Sequence, residues 1–266
     1  IIDHHPQDKD NPYATIVNPQ IDDYPNKELS GSALCWKVCG ALDEQFSTNY
    51  AQDYVDMAGF GLIADVMCMK NMENRYIVYQ ALSNVKNVGL LALFKRLNKT
   101  PPHINSTDIG FSIGPMINAT SRMNQIELAI DLLTNDDPEK CKDLAKKIEK
   151  LNEERKQLQS SHVNRLSALV NPNDNLIILV DNDLDKGFAG LVAMGLVSQY
   201  KRPALILHEE GDTYTGSYRS VNGFNLKEFF NSLEIVETGG HAEAGGCTVE
   251  KDKFEQFKLL ALEKIK

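Results

Sequence analysis

The sequence predicts an α/β protein of two domains joined by a long helix. Three observations carry this expectation. Helix-like and strand-like apolar patterns alternate along the 266 residues, as stacked layers of helix and sheet require. One amphipathic pattern then persists for about 30 residues after Asp137-Pro138-Glu139. Beyond it the strand signal restarts with the buried-strand run Leu176-Ile177-Ile178-Leu179-Val180.

Each element follows from local chemistry. Ile1-Ile2, ahead of Asp3, reads as the end of a buried strand of a parallel sheet. Residues 51–66 read as a helix running into a short buried strand, Gly61-Leu62-Ile63-Ala64, which ends at Asp65. Residues 73–97 read as helical, broken at Gly89. Asp is a preferred helix cap and Pro suits the first helical position, so a helix starts at Asp137-Pro138. Its apolar positions are Cys141, Leu144, Ile148, Leu151, Leu158, Leu166 and Leu169, opposite a face rich in Lys and Glu. Asn171-Pro172-Asn173-Asp174 closes it, so it reads as a connector. The second half is a mixed α/β unit: helices near 187–200, 225–233 and 253–265, and strands near 203–207, 212–220 and 247–249. The expected domains are 1–136, a connector at 137–171, and 172–266.

Composition bounds the function. Hydrophobic residues make up 42% and charged residues 24%, as in ordinary globular proteins. No apolar run approaches the roughly 18 residues of a membrane-spanning helix, so no membrane partner is expected. The first residue is not Met, which reads as a processed or excised piece. Cys35, Cys39, Cys68, Cys141 and Cys247 form no Cys-x-x-Cys and are expected to be reduced and mostly buried, as in a cytoplasmic protein; a zinc site is the alternative. A net charge of −9 is unlike that of a protein that coats DNA. Any nucleic acid must therefore be held locally, by bound cations and a few Arg and Lys residues in a groove.

Four clusters carry chemistry. Asp3-His4-His5 ends the first strand, and ligands of open α/β sheets bind beyond such ends. Carboxylate with imidazole suits Mn²⁺ or a related divalent ion. Asp65 repeats the arrangement at the end of the second apolar run. Gly239-Gly240-His241 lets the backbone approach a phosphate, with His241 as a donor. Gly216-Ser217-Tyr218-Arg219-Ser220 sets hydroxyls and a guanidinium on a strand, good donors to phosphate and sugar. Gly114 to Met123 reads as an irregular, hydrogen-bonding loop containing Asn118 and Arg122. Each has a plainer alternative: a turn cap, a glycine turn, an exposed strand, a structural loop.

In this order, the clusters resemble the RecJ family of single-strand-specific exonucleases in the DHH superfamily. Asp3-His4-His5 resembles the triplet that names the superfamily, and Leu62-Ile63-Ala64-Asp65-Val66 its following acidic motif. Phe111 to Met123 resembles the family's Gly-x-x-Pro-Arg-Ile-Asn-Ala-x-x-Arg segment. Gly223-Phe224-Asn225-Leu226 and Gly239 to Gly246 resemble the accessory DHHA1 domain. The resemblance implies a partial DHH domain with a parallel sheet, a connector helix, and a DHHA1 domain. It implies that His4 and Asp65 ligate Mn²⁺ or Mg²⁺, that Asp3 orients His4, and that His5 faces the scissile phosphate. Asn118, Arg122, Ser217, Arg219, Gly239, Gly240 and His241 would hold substrate phosphates. The implied activity is 5′-to-3′ hydrolysis of single-stranded DNA in repair and recombination.

Three departures stand out. The family carries an Asp-x-Asp motif and a further metal-binding Asp before the triplet, where this chain has two residues; weak metal binding and little nuclease activity are expected of the chain as given. Met116 stands where the family usually has Arg, which should weaken a phosphate contact. The chain stops after the accessory domain, where bacterial RecJ proteins usually continue into an OB-fold. Two alternatives remain: a DHH phosphodiesterase of short oligonucleotides or cyclic dinucleotides, and a non-catalytic replication scaffold of the same fold.

Overall fold

Short polar residues start several helices of the first unit. Ser30 accepts the amide of Ala33 and opens α1 (Gly31–Phe46). A 3₁₀ turn leads into α2 (Val55–Ala64). Asn71 caps α3 (Met72–Ser83) and Asn87 caps α4 (Val88–Arg96), each through its side-chain oxygen. α5 (Ser106–Asp108) passes through a π turn into α6 (Gly114–Arg122); α7 (Ile126–Leu133) and the 30-residue α8 (Pro138–Ser167) follow. The computed structural model describes residues 1–6 and 11–265. These form two units, Ile1–Asn152 and Glu153–Lys266, and the division falls within α8. Among the described residues no single helix is long and apolar enough to cross a membrane.

α8 starts where its caps dictate, with Asp137 Oδ1 accepting the Glu139 amide at 3.0 Å. Cys141, Leu144, Ile148 and Leu151 are buried, and burying each large aliphatic contributes about 1.5–3 kcal/mol. Leu166 is also buried, but Leu158 is exposed and Leu169 lies past the helix end. The apolar face is thus interrupted.

Four expectations are corrected. Residues 61–64 are the last turn of α2, not a strand: four apolar residues fit a buried helix as well as a strand, and length decides. The 73–97 helix breaks at residues 84–87, not at Gly89. The carboxylate of buried Asp56 accepts the amides of Lys86 and Asn87 there. A Cβ on Gly89 would stand 2.2 Å from the Leu132 carbonyl oxygen, so glycine here lets α4 meet α7. Residues 114–122 are helix α6, not loop, because Pro near the N-terminus favours a helix start. Finally, only Cys141 and Cys247 are buried; Cys35 and Cys39 are exposed on α1. All five are free, and burial pushes the Cys247 thiol up to about 12.

Glu73 ties α3 to the segment before α1. It accepts Tyr24 Oη at 2.7 Å, Asn26 Nδ2 at 2.9 Å and Lys37 Nζ at 2.9 Å. Burial pushes its carboxyl up, but the bonds from Lys37, Asn26 and Tyr24 outweigh this and hold it below the usual range. A depressed folded-state value gives stability that is present above the unfolded value, about 4.3, and lost as pH falls through the folded one. Glu73→Gln should therefore lower the melting temperature at pH 7 and differ less from wild type near pH 3. Parallel pH profiles in thermal unfolding would contradict this.

The second unit holds a five-stranded sheet, of order β1-β2-β3-β5-β4. The strands are β1 (Ile177–Val180), β2 (Ala204–Glu210), β3 (Thr213–Arg219), β4 (Glu237–Gly240) and β5 (Ala244–Glu250). β1 and β2 run parallel and the other pairs antiparallel. α9 (Ala189–Tyr200) packs on β2 and β3, while α10 (Leu226–Asn231) and α11 (Phe254–Lys264) lie with the other face. On that face Leu205, Leu207, Tyr218, Cys247 and Val249 pack against Phe230 and Phe257. The α/β class thus holds with a mixed sheet. Among the described residues the first unit contributes only one parallel bridge, Ile2 with Val17, to β pairing.

Candidate metal centre and phosphate face

The Ile2–Val17 bridge sets the start of the first site. Asp3 N donates to the Val17 carbonyl at 3.1 Å, and buried Asn18 donates through Nδ2 to the His5 carbonyl at 2.9 Å. Ile1 and Ile2 are exposed, so this is a surface pairing rather than the end of a buried strand. Asp3 Oδ1 accepts the His4 amide at 2.8 Å and lies 2.8 Å from His5 Nδ1. The carboxylate therefore orients the ring of His5, not that of His4, and the hydrogen bond with His5 is the chief cause holding the Asp3 carboxyl below its ordinary value.

α2 brings Asp65 to the same place. Asp65 caps the C-terminus of α2, with its Oδ2 3.3 Å from His4 Nε2. A cavity of about 250 Å³ adjoins it, lined by Ser30, Gly31, Ser32, Asp65 and Asn118 among others. A Cβ on Gly61 would fall 1.7 Å from Ser32 Oγ, so this glycine lets α2 approach the start of α1. Asn118 and Arg122 stand one turn apart on α6, hence on one face. Arg122 is half-buried, and burial lowers its pKa. Met116 is buried in the hydrophobic core.

The donor set fits a divalent ion. Ligands on adjacent positions of an octahedral ion with bonds near 2.1 Å stand about 3 Å apart, close to the His4–Asp65 separation of 3.3 Å. One donor atom each of Asp3, His4 and His5 also lies within 4.8 Å of the others. Imidazole with carboxylate is a donor set of Mn²⁺ rather than of Ca²⁺. Asp65 gains nothing from its helix, since a carboxylate at a helix C-terminus meets the negative end of the dipole.

The second unit presents a different surface. Ser217 and Arg219 alternate with buried Tyr218, so they share the opposite sheet face. The register sets Ser217 across from Gly246, and Gly246 across from Gly239, leaving a floor without side chains beside the hydroxyl. Arg219 pairs with Ala244, and the His241 amide donates to the Ala244 carbonyl at 2.8 Å. Arg219 and His241 thus flank Ala244. A Cβ on Gly190, the second residue of α9, would lie 2.7 Å from Arg219 Nη2. The guanidinium therefore rests at the positive end of a helix, where an anion would be attracted by both.

Similarity to known proteins agrees with this architecture. Residues 173–266 match the DHHA1 domain. Along nearly its whole length the chain is similar to RecJ exonucleases. It is 27% identical to the single-stranded-DNA-specific exonuclease RecJ of Haemophilus influenzae over 97% of this chain and 50% of that protein. RecJ of Bacillus subtilis is 31% identical over 95% of this chain and 33% of its own length. The chain thus spans about half the length, or less, of these curated relatives. RecJ of Thermus thermophilus, solved in complex with Mn²⁺, superposes with a TM-score of 0.83 at 27% identity, over 98% of this chain and 40% of that one. The same protein has been solved with Mg²⁺.

Asn18, Ser30, Ser32 and Gly190 were not singled out from sequence. Asn18-Pro19 is a turn signal, and Ser30-Gly31 a helix start. Gly190 has no local signature, because its role depends on Arg219 from a distant strand.

Proposed function

We propose that this chain carries the hydrolytic and phosphate-binding parts of a metal-dependent phosphodiesterase acting from the 5′ end of single-stranded DNA, in repair and recombination. The observation that carries the proposal is the 3.3 Å approach of His4 Nε2 to Asp65 Oδ2, beside the Asp3-held ring of His5. His4 and Asp65 would hold Mn²⁺ or Mg²⁺, the ions named with the Thermus RecJ structures. Such an ion, when bound, polarises a phosphoryl oxygen and lowers the pKa of attacking water. Asp3 holds His5 through Nδ1, which would leave its other ring nitrogen for the scissile phosphate. Asn118 and Arg122 supply donors to substrate oxygens in the first unit. Ser217, Arg219, Gly239, Gly240 and His241 do so in the second, where a guanidinium, a helix N-terminus and open glycine backbone favour a phosphate.

The test is release of mononucleotide from 5′-labelled single-stranded DNA in Mn²⁺, with a cyclic dinucleotide as the competing substrate. Slow hydrolysis of DNA, in keeping with weak metal binding, that stops in excess chelator is expected. Equal hydrolysis with chelator would refute the metal mechanism, and hydrolysis of the dinucleotide alone would transfer the proposal to that substrate class.

A further inference from the structure

His241 projects from a stretch of backbone that is pliable by composition. Gly240 before it has φ +104°, a conformation open to glycine that other residues rarely adopt. Hydrogen bonds hold the peptides on both sides of the His241 Cα. The His241 amide donates to the Ala244 carbonyl at 2.8 Å, and the His241 carbonyl accepts the phenol hydroxyl of Tyr218 at 2.8 Å. Lys227 Nζ adds a bond to the preceding carbonyl, that of Gly240, at 2.9 Å.

Tyr218 reaches this carbonyl from the buried side of the sheet. It lies between Ser217 and Arg219 in β3, fully buried, with its ring edge-on to Phe230 at 5.7 Å. The ring crosses Gly245, where a Cβ would stand 2.4 Å from the hydroxyl and 2.6 Å from Cζ. Packing alone does not call for the oxygen. A phenylalanine would fill the same space, and a buried hydroxyl is costly unless it is bonded. Here its bond goes to the residue that ends the phosphate face.

We propose that Tyr218 is a positioning residue, whose hydroxyl clamps the His241 peptide so that the imidazole is held ready for a phosphate oxygen. The inference rests on the phosphate-binding reading of this face. Tyr218 touches no ligand; it acts through His241.

The experiment is a double-mutant cycle on the whole chain, with deoxythymidine 5′-monophosphate as the probe and thermal unfolding alongside. Tyr218→Phe should stay folded, because the ring and its packing remain, yet raise the Kd about three- to tenfold, the worth of one hydrogen bond. In a His241→Ala background the same change should alter the Kd by less than about twofold. The imidazole resonances of His241 in the free protein should shift and broaden in Tyr218→Phe. Equal affinity of Tyr218→Phe and wild type would overturn the clamp, as would a loss that persists undiminished without His241. A wild-type chain that binds no mononucleotide would instead overturn the underlying reading of the face, and the clamp with it.

Discussion

His4→Ala and Asp65→Ala should each abolish phosphodiester hydrolysis, lowering the rate by about a thousandfold or more, while the chain stays folded. The magnitude follows from removing one of few donors to an ion that supplies several kcal/mol of transition-state stabilisation, at 1.36 kcal/mol per tenfold. The stability half rests on the site itself. Asp65 is half-exposed at the C-terminus of α2, where its charge opposes the helix dipole. Its removal should therefore leave the melting temperature unchanged or slightly higher. His4 meets Asp65 across a partly exposed pair of the kind worth at most about 1 kcal/mol. A residue whose removal leaves stability unchanged and yet stops the reaction would be placed there for chemistry.

Metal binding gives a second readout. Mn²⁺ should raise the melting temperature of wild type by mass action and have no effect on Asp65→Ala. The affinity of this chain should be weak. His4 and Asp65 bring one formal negative charge between them, and Asp3 Oδ1 is already engaged by the His4 amide and the His5 ring. Tight binding that survives in both variants would show that other residues hold the ion, and the ligand assignment would fall.

The second unit was the more legible half of the fold. Its strands carry runs such as Ala204 to Leu207, too short and too apolar for a surface helix. The first unit misled where a short apolar run had two readings, as at residues 61–64, and where a glycine reflected packing rather than a break, as at Gly89. The site clusters were visible as residue types. His4 was expected beside Asp65, as it is; other partners were not visible. That Asp3 orients His5, and that Arg219 lies over Gly190, depends on rotamers and on contacts between distant segments, which no local pattern encodes.

Two glycines of the second unit separate folding from binding. Gly216 sits inside the sheet, where a Cβ would stand 1.9 Å from the Ile206 carbonyl oxygen and 2.8 Å from Leu207 Cα. Both are backbone of the adjoining strand and cannot swing aside. Gly216→Ala should cost about 3 kcal/mol or more and lower the melting temperature by about 10 °C. Gly239 is the opposite case. It lies on the edge strand β4 with nothing within 4 Å of a Cβ, and its φ is outside the left-handed region. Neither space nor conformation requires glycine there. Gly239→Ala should keep the fold and even stabilise it by about 0.5–1 kcal/mol, since a strand glycine gives up more backbone freedom than alanine. If a phosphate approaches the open floor formed by Gly239 and Gly246, the added methyl should hold it off, and mononucleotide affinity should fall about 10- to 100-fold through lost charge-assisted bonds. Calorimetric titration beside thermal unfolding reads both effects. A Gly239→Ala chain that binds as well as wild type would remove Gly239 from the phosphate face, leaving Ser217, Arg219 and His241 to account for any binding that remains.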